Sequence, residues 1–319
     1  MSGNLNTTIN GSLSSSCYQP TAEKIGKTFA FCLIFLTSLA GNIVIGITVY
    51  KAKTMRKPIN FLIVNMAMSD LLYPIFVIPR EIRMLYIDSW LIGGPLGQAF
   101  CKLVAFLPHV SVLVSIQSLV LIAVDRFGAV VVPLRSPLIS SKLCPFFILA
   151  TWIVAMALNS PYLFAMKHFE HAAGLECRIQ WNKVFGETWS YENYLASFSV
   201  LFIFIPLALI AILYIIIFLK LKSQKIPGER PAEAEVEQRR QRERKVLKMS
   251  IAIVLGFAIC WLPLIIFYLL FFASNTMMAC DFQYFYSLAF LLVSSNCAIN
   301  PCICFIFSSN YREGLKSLL

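Results

Sequence analysis

Apolar residues in this chain come in long blocks separated by short polar breaks. Gly26–Tyr50, Ile59–Ile78, Leu103–Val124, Leu143–Met166, Tyr194–Leu219, Val246–Phe272 and Phe282–Phe307 each run for about 20 residues or more with at most an occasional charge. As a helix, each block is long enough to cross a hydrocarbon layer about 30 Å thick. Seven such blocks in succession cannot all be packed in water. The pattern predicts an all-α membrane protein, a seven-transmembrane helix bundle over residues 26–307, preceded by a polar tail over 1–25. Most connections are short, which forces neighbouring spans to run antiparallel. Two are longer, Lys167–Asn193 and a stretch near 222–242 that carries Pro227, Gly228 and Pro231. Helical spacing resumes from Ala232 to Arg244, so the sixth helix is expected to begin well before its apolar block. Over 308–319, Tyr311, Leu315 and Leu318 recur at helical spacing and predict a short amphipathic helix lying on the membrane surface.

Composition agrees with the pattern: 58% of residues are hydrophobic and 13% charged. An ordinary soluble domain is about half apolar and a quarter charged. Basic residues fix the orientation. Lys51, Lys53, Arg56, Lys57, Arg135, Lys142 and the run from Arg239 to Lys245 follow spans one, three and five, and short basic loops stay cytoplasmic. The net charge of +11 therefore belongs to the inner face. Anionic lipid explains that basic face with less than nucleic acid would require, so no nucleic-acid partner is expected. The N-terminus is then extracellular and the C-terminus cytoplasmic, in a multi-pass plasma-membrane protein. Asn6-Thr7-Thr8 and Asn10-Gly11-Ser12 are N-glycosylation sequons on the outer side. No h-region precedes them, so span one is expected to serve as the targeting signal.

Several residues do not belong in lipid. Asp70 lies deep in span two, Asn42 in span one, Ser115 in span three, and Asn296 and Asn300 in span seven. An intramembrane charge marks a functional site by default. Converged at one level, these groups would form either a structural polar network or a cation site. Pro161, Pro206, Pro263 and Pro301 fall inside four spans and predict kinks, which make natural hinges. Cys101 at the head of span three and Cys177 in the long outer loop share an oxidising compartment, where a bridge would pin the loop over the bundle mouth. Cys17 and Cys280 are placed for a second bridge or for two free thiols.

These residues resemble the rhodopsin-like (class A) G-protein-coupled receptors over nearly the whole chain. The resemblance is carried by Gly41-Asn42 and Val44 in span one, Asn65 to Asp70 in span two and Asp125-Arg126-Phe127 at the end of span three. It continues through Trp152 in span four, Pro206 and Tyr214 in span five, Phe257 and Cys260-Trp261-Leu262-Pro263 in span six, and Asn300-Pro301 in span seven. It implies that Arg126 is the switch arginine, paired with Asp125 and with Glu243 at the base of helix six. Release would let helix six swing outward, with Trp261, Phe257, Ile116 and Pro206 coupling ligand contact to that motion. It also implies an allosteric sodium ion held by Asp70, Ser115 and Asn296; no other cofactor is expected. Two departures stand out. Phe127 replaces a tyrosine, and Cys304 replaces the tyrosine that ends Asn-Pro-x-x-Tyr and would approach Tyr214 on activation. Cys297 stands where the family often has serine, which weakens the sodium expectation.

The resemblance points to the neuropeptide branch. Pro108 occupies the position of the amine-receptor aspartate, and Ser294 that of the retinal lysine. Trp90 with Gly93 resembles the Trp-x-x-Gly turn common among peptide receptors, Pro79 bends helix two near its outer end, and the second outer loop is long enough for a hairpin. Glu81, Glu187, Glu192 and Asp281 ring the mouth and would attract a basic peptide. Below them His109, Tyr268, Tyr286 and Phe290 are expected to line a partly aromatic pocket suited to an amidated aromatic terminus. His168 and His171 share helical spacing in the outer loop, a weak basis for zinc. Expected partners are an extracellular peptide, a heterotrimeric G protein, arrestin and membrane lipid. A same-family receptor for a lipid, nucleotide or amine stays open as an alternative, and a transporter or channel as a more distant one. No internal repeat favours the latter, and no phosphate loop, His-Glu-x-x-His or nucleophile elbow supports an enzyme.

Overall fold

The computed structural model describes residues 21–87, 89–90, 92–132, 138–171, 174–186, 190–223, 231–274 and 280–317. Of 231–240, 242–243, 272–274 and 280–281 it describes the backbone alone. Among the described residues seven helices are long and apolar enough to cross a membrane. Span one is Thr21–Lys51, span two Pro58–Met84, span three Gly94–Val131, span four Cys144–Ala165 and span five Tyr191–Ser223. Span six belongs to the helix Pro231–Ser274 and span seven to Cys280–Phe307. The helices overrun the apolar blocks because polar ends add turns beyond the hydrocarbon. The early start expected for the sixth helix is seen in its backbone.

Span three is the axis. Its 38 residues extend about 57 Å, and it packs against spans two, four, five and six. Span seven closes the ring against spans one and six. Leu33, Leu36, Phe146, Leu149, Ile153, Ile212, Ile215 and Leu269 point outward and are exposed. On a soluble protein they would form an aggregation surface; against acyl chains they face their natural solvent.

Prolines interrupt two of the spans outright, two and four, and lie inside continuous helices in spans three, six and seven. Span two is interrupted after Asp70 and again at Val77, because Pro74 and Pro79 lack the N–H groups that the carbonyls four residues earlier need. Pro108 lies inside span three as well. Span four breaks at Ser160, before Pro161, and the Ser160 hydroxyl donates to the freed Ala157 carbonyl at 2.8 Å. In span five a π-helical turn, Val200–Phe204, precedes Pro206. Pro301 frees the Cys297 carbonyl, and span one fills the vacancy: Asn42 Nδ2 donates to it at 2.9 Å and Ser38 Oγ at 3.2 Å.

The mouth end is capped by an antiparallel hairpin, β1 (Met166–His171) and β2 (Gly174–Ile179), followed by a short helix at Trp181–Phe185. His168 and His171 therefore sit on a strand, where three-residue spacing sends side chains to opposite faces. This corrects the shared helical face on which a zinc pair would depend. Cys177 is disulfide-bonded to Cys101 at the head of span three. Trp90 is buried under the hairpin, its backbone N–H donating to the Leu175 carbonyl at 2.6 Å. At the base end the amphipathic helix Ser309–Lys316 folds back under span one. Tyr311 is buried and its hydroxyl donates to Asn60 Oδ1 at 3.4 Å.

Candidate functional site

Two sites share span three. The first is a cavity of about 490 Å³ below the hairpin, lined from spans two to seven and from β2. His109, Glu81, Tyr268 and Phe290 all line it, and Trp261 forms part of its floor. Tyr286 stands behind that wall, packed on Phe267 at 4.9 Å and on Phe290 at 6.0 Å between ring centroids. Glu192 is exposed and turned away from the cavity, one residue past Tyr191, which does line it. The helix turns about 100° between neighbours, which here sets Tyr191 against the cavity and Glu192 at the exposed surface. Glu187 and the side chain of Asp281 lie outside the described residues.

The cavity wall is mostly apolar, and its charges are paired. Arg80 donates to Glu81 Oε1 at 2.7 Å. Arg178 lies 3.5 Å from Glu176 and over the ring of Phe169 at 4.7 Å. Glu81 thus meets a ligand already compensated by Arg80. The wall behind His109 was not read from the sequence either. Tyr162 stacks on His109 at 4.2 Å, and Trp181, Tyr191 and Tyr194 pack edgewise around Tyr162. These aromatics come from span four, the loop helix and span five. Only a three-dimensional fold assembles them, although the density of Trp and Tyr over 181–194 was the available signal.

The second site runs from mid-bundle to the base. Asp70 is buried, with Ser115 Oγ donating to Oδ1 at 2.9 Å and Asn300 Nδ2 to Oδ2 at 2.7 Å. Ser69 Oγ sits 3.1 Å from Ser115 Oγ, and Ser111 Oγ donates to the Ser69 carbonyl at 2.8 Å. Asn300, rather than Asn296, is the span-seven residue bonded to the carboxylate. Asn296 Oδ1 and Asn300 Oδ1 are buried acceptors without a donor among the described residues. A second hub lies one turn earlier in span two. Asn65 Nδ2 donates to Ser118 at 2.9 Å and to Thr151 at 3.2 Å, while Trp152 Nε1 donates to Asn65 Oδ1 at 2.8 Å.

Closer to the base, Ile116 and Phe257 are both buried in the main core, with Trp261 packed against it and stacked on Phe257 at 5.8 Å. Pro206 and Ile116 both line a second recess of about 270 Å³. Pro263 lies inside the sixth helix, Pro301 inside the seventh. Arg126 is bonded to Asp125, Nη2 to Oδ2 at 2.5 Å and Nε to Oδ2 at 3.2 Å. The Glu243 side chain expected to complete that lock lies outside the described residues, as do Cys17, Asn6, Asn10 and the side chain of Cys280. Tyr214 and Cys304 are both buried in the same core.

A family model described as "7 transmembrane receptor (rhodopsin family)" matches residues 41–303. Among curated proteins, the substance-P receptor of Mus musculus is 29% identical over 312 residues, covering 98% of this chain and 75% of that receptor. The QRFP-like peptide receptor of Branchiostoma floridae is 30% identical over 312 residues, covering 94% and 78%. The neuropeptide Y receptor type 1 of Xenopus laevis is 28% identical over 320 residues, covering 98% and 86%.

Proposed function

The chain belongs to the rhodopsin family of seven-transmembrane receptors, and from that premise we propose that it converts binding of a short extracellular neuropeptide into activation of a heterotrimeric G protein. One observation carries the reading. Span three lines the cavity with His109 and ends in the Asp125–Arg126 pair, so a single helix joins both sites over 17 residues, about 25 Å. The hairpin end is the outer face, where a disulfide persists. The end carrying Lys51, Lys57, Lys222, Lys245 and Arg312 is the cytoplasmic face, following the positive-inside rule. Receptors named for substance P, a QRFP-like peptide and neuropeptide Y are all similar to this chain, which favours a peptide over a lipid, nucleotide or amine.

A peptide terminus enters under the hairpin and bears on Trp261 at the cavity floor. Because Trp261 stacks on Phe257, and Phe257 shares a core with Ile116, a shift there repacks the hinge region at Pro263. Helix six then moves outward, Arg126 leaves Asp125, and the cleft that opens admits the G protein and afterwards arrestin. A sodium ion would favour the closed state by adding positive charge at a buried carboxylate. The donor set fits it: Asp70 and Ser115, with Asn296 supplying a buried acceptor that has no donor among the described residues.

Expressing the full chain in cultured cells and screening a neuropeptide library by G-protein dissociation tests the proposal. A saturable response, lost in Arg126→Ala at matched surface expression, is the expected result. A response confined to amines, lipids or nucleotides would keep the receptor and discard the peptide.

A further inference from the structure

His109 is held by two contacts that leave one atom free. Its Nδ1 lies 2.6 Å from the Ala105 carbonyl oxygen. A carbonyl can only accept, so Nδ1 carries the proton. The ring face stacks on Tyr162, with planes 26° apart. Tyr162 cannot yield, being 3% exposed, enclosed by Trp181 and Tyr194, and within 3.4 Å of the Tyr191 hydroxyl. His109 itself is half-buried and lines the cavity. The remaining ring nitrogen, Nε2, has no hydrogen-bond partner among the described residues. In an uncharged imidazole with its proton on Nδ1, Nε2 is purely an acceptor. No free counter-ion stands ready to charge the ring, since Glu81 is the one carboxylate on the cavity wall among the described residues and Arg80 already holds it.

The depth matters as much as the atom. His109 lies eight residues past Cys101 in span three, about 12 Å below the disulfide, so the end of a short peptide reaches it more readily than the middle. Unmodified ends carry an ammonium or a carboxylate, and an amidated C-terminus carries a carboxamide. An ammonium or a carboxylate would bring a charge to a wall whose own charges are paired, at a large desolvation cost. A carboxylate would also set its lone pairs against that of Nε2. A carboxamide is neutral and brings an N–H.

We propose that His109 is a specificity-determining residue that accepts a hydrogen bond from the C-terminal carboxamide of a peptide ligand and turns away the free acid. This assignment rests on the peptide reading above. One mismatched buried hydrogen bond corresponds to roughly 10- to 100-fold in affinity.

Two matched pools of N-acetylated pentapeptides with an aromatic last residue, one ending in carboxamide and one in free acid, test it. Each pool is offered to the full chain in lipid nanodiscs, and retained peptides are counted by mass spectrometry. The wild type is expected to prefer the amidated pool roughly 10- to 100-fold. His109→Phe keeps a ring against Tyr162 but has no acceptor, and should lose the preference. His109→Gln, with a carbonyl acceptor, should recover much of it. His109→Lys offers donors only and should invert it towards acids, an outcome that misfolding cannot produce. Equal retention by the wild type, or a preference that survives in both His109→Phe and His109→Lys, overturns the assignment and leaves the peptide reading standing. Retention of neither pool by a wild-type receptor that unfolds cooperatively overturns both.

Discussion

Asn300 Nδ2 donates to Asp70 Oδ2 at 2.7 Å, joining spans seven and two through residues 230 positions apart. Ser115 takes the other carboxylate oxygen at 2.9 Å, so a single buried side chain ties three spans together. Cation binding there would add to this network, because buried acceptors on Asn296 and Asn300 have no donor among the described residues. Asp70→Asn removes the charge while keeping the shape. In the wild type, replacing sodium chloride by an organic cation salt should raise agonist potency roughly fivefold or more. The variant should show no such dependence in the same G-protein dissociation assay. A sodium-insensitive wild type would leave Asp70 as a structural tie only.

Asn65 bonds Ser118, Thr151 and Trp152, which lie on two other spans. Each interhelical bond in a membrane is worth about 0.6 kcal/mol on average. Asn65→Ala should therefore cost about 2 kcal/mol and lower the melting temperature of detergent-purified receptor by several degrees. Trp152→Phe deletes one of the three bonds and should cost about a third as much.

Gly41 lets spans one and seven approach at the Pro301 kink: a Cβ on Gly41 would lie 2.7 Å from Pro301 Cβ. A proline ring cannot swing aside as a flexible side chain would. Gly41→Ala should destabilise the receptor by about 1–3 kcal/mol, the usual cost of overpacking. The Asn42 and Ser38 bonds to the Cys297 carbonyl would weaken with it. Thermal unfolding checks this, with Gly46→Ala as the control, since a Cβ there meets nothing within 4 Å.

The Cys101–Cys177 bridge closes a loop across a sequence separation of 76 and holds the hairpin over the cavity. Chain entropy alone gives such a bridge about 4 kcal/mol. Cys177→Ser should reduce surface expression and weaken retention of the amidated pool by more than tenfold. It should leave little change at Arg126, where basal signalling is the readout. Unchanged ligand binding would mean that the hairpin packing, including the Trp90 to Leu175 bond, suffices without the covalent link.

Much of this was legible in the chain. Seven apolar blocks give seven spans because every backbone N–H and C=O in hydrocarbon must be paired within its own helix, a rule that acts locally. The Cys101–Cys177 bridge was expected from a shared compartment, the hairpin from loop length under the family resemblance, and the terminal helix from the helical spacing around Tyr311. Asp70 and Ser115 stood out because polar residues in an apolar run are conspicuous, whereas Arg126 and Trp261 were picked out by the family resemblance. Pro74 did not stand out, though it interrupts span two as Pro161 interrupts span four, and Pro108 lies inside an unbroken span three. Glu192 and Tyr286 were assigned to the pocket from their place near the mouth, but rotation about the helix axis turns one outward and sets the other behind Phe290.

Sequence by itself determined what each segment must become: its length, its apolar character, its breaks at proline and the chemical groups it carries into the membrane. These follow from the solvation of one residue at a time. Only the tertiary structure decided which groups meet. That Asn300 and not Asn296 bonds Asp70, that Arg80 satisfies Glu81, and that Tyr162 stacks on His109 at the cavity wall depend on helix rotation and kink direction. A helix turns 100° per residue, so a change of one position in register redirects every contact while leaving the hydrophobic pattern almost untouched.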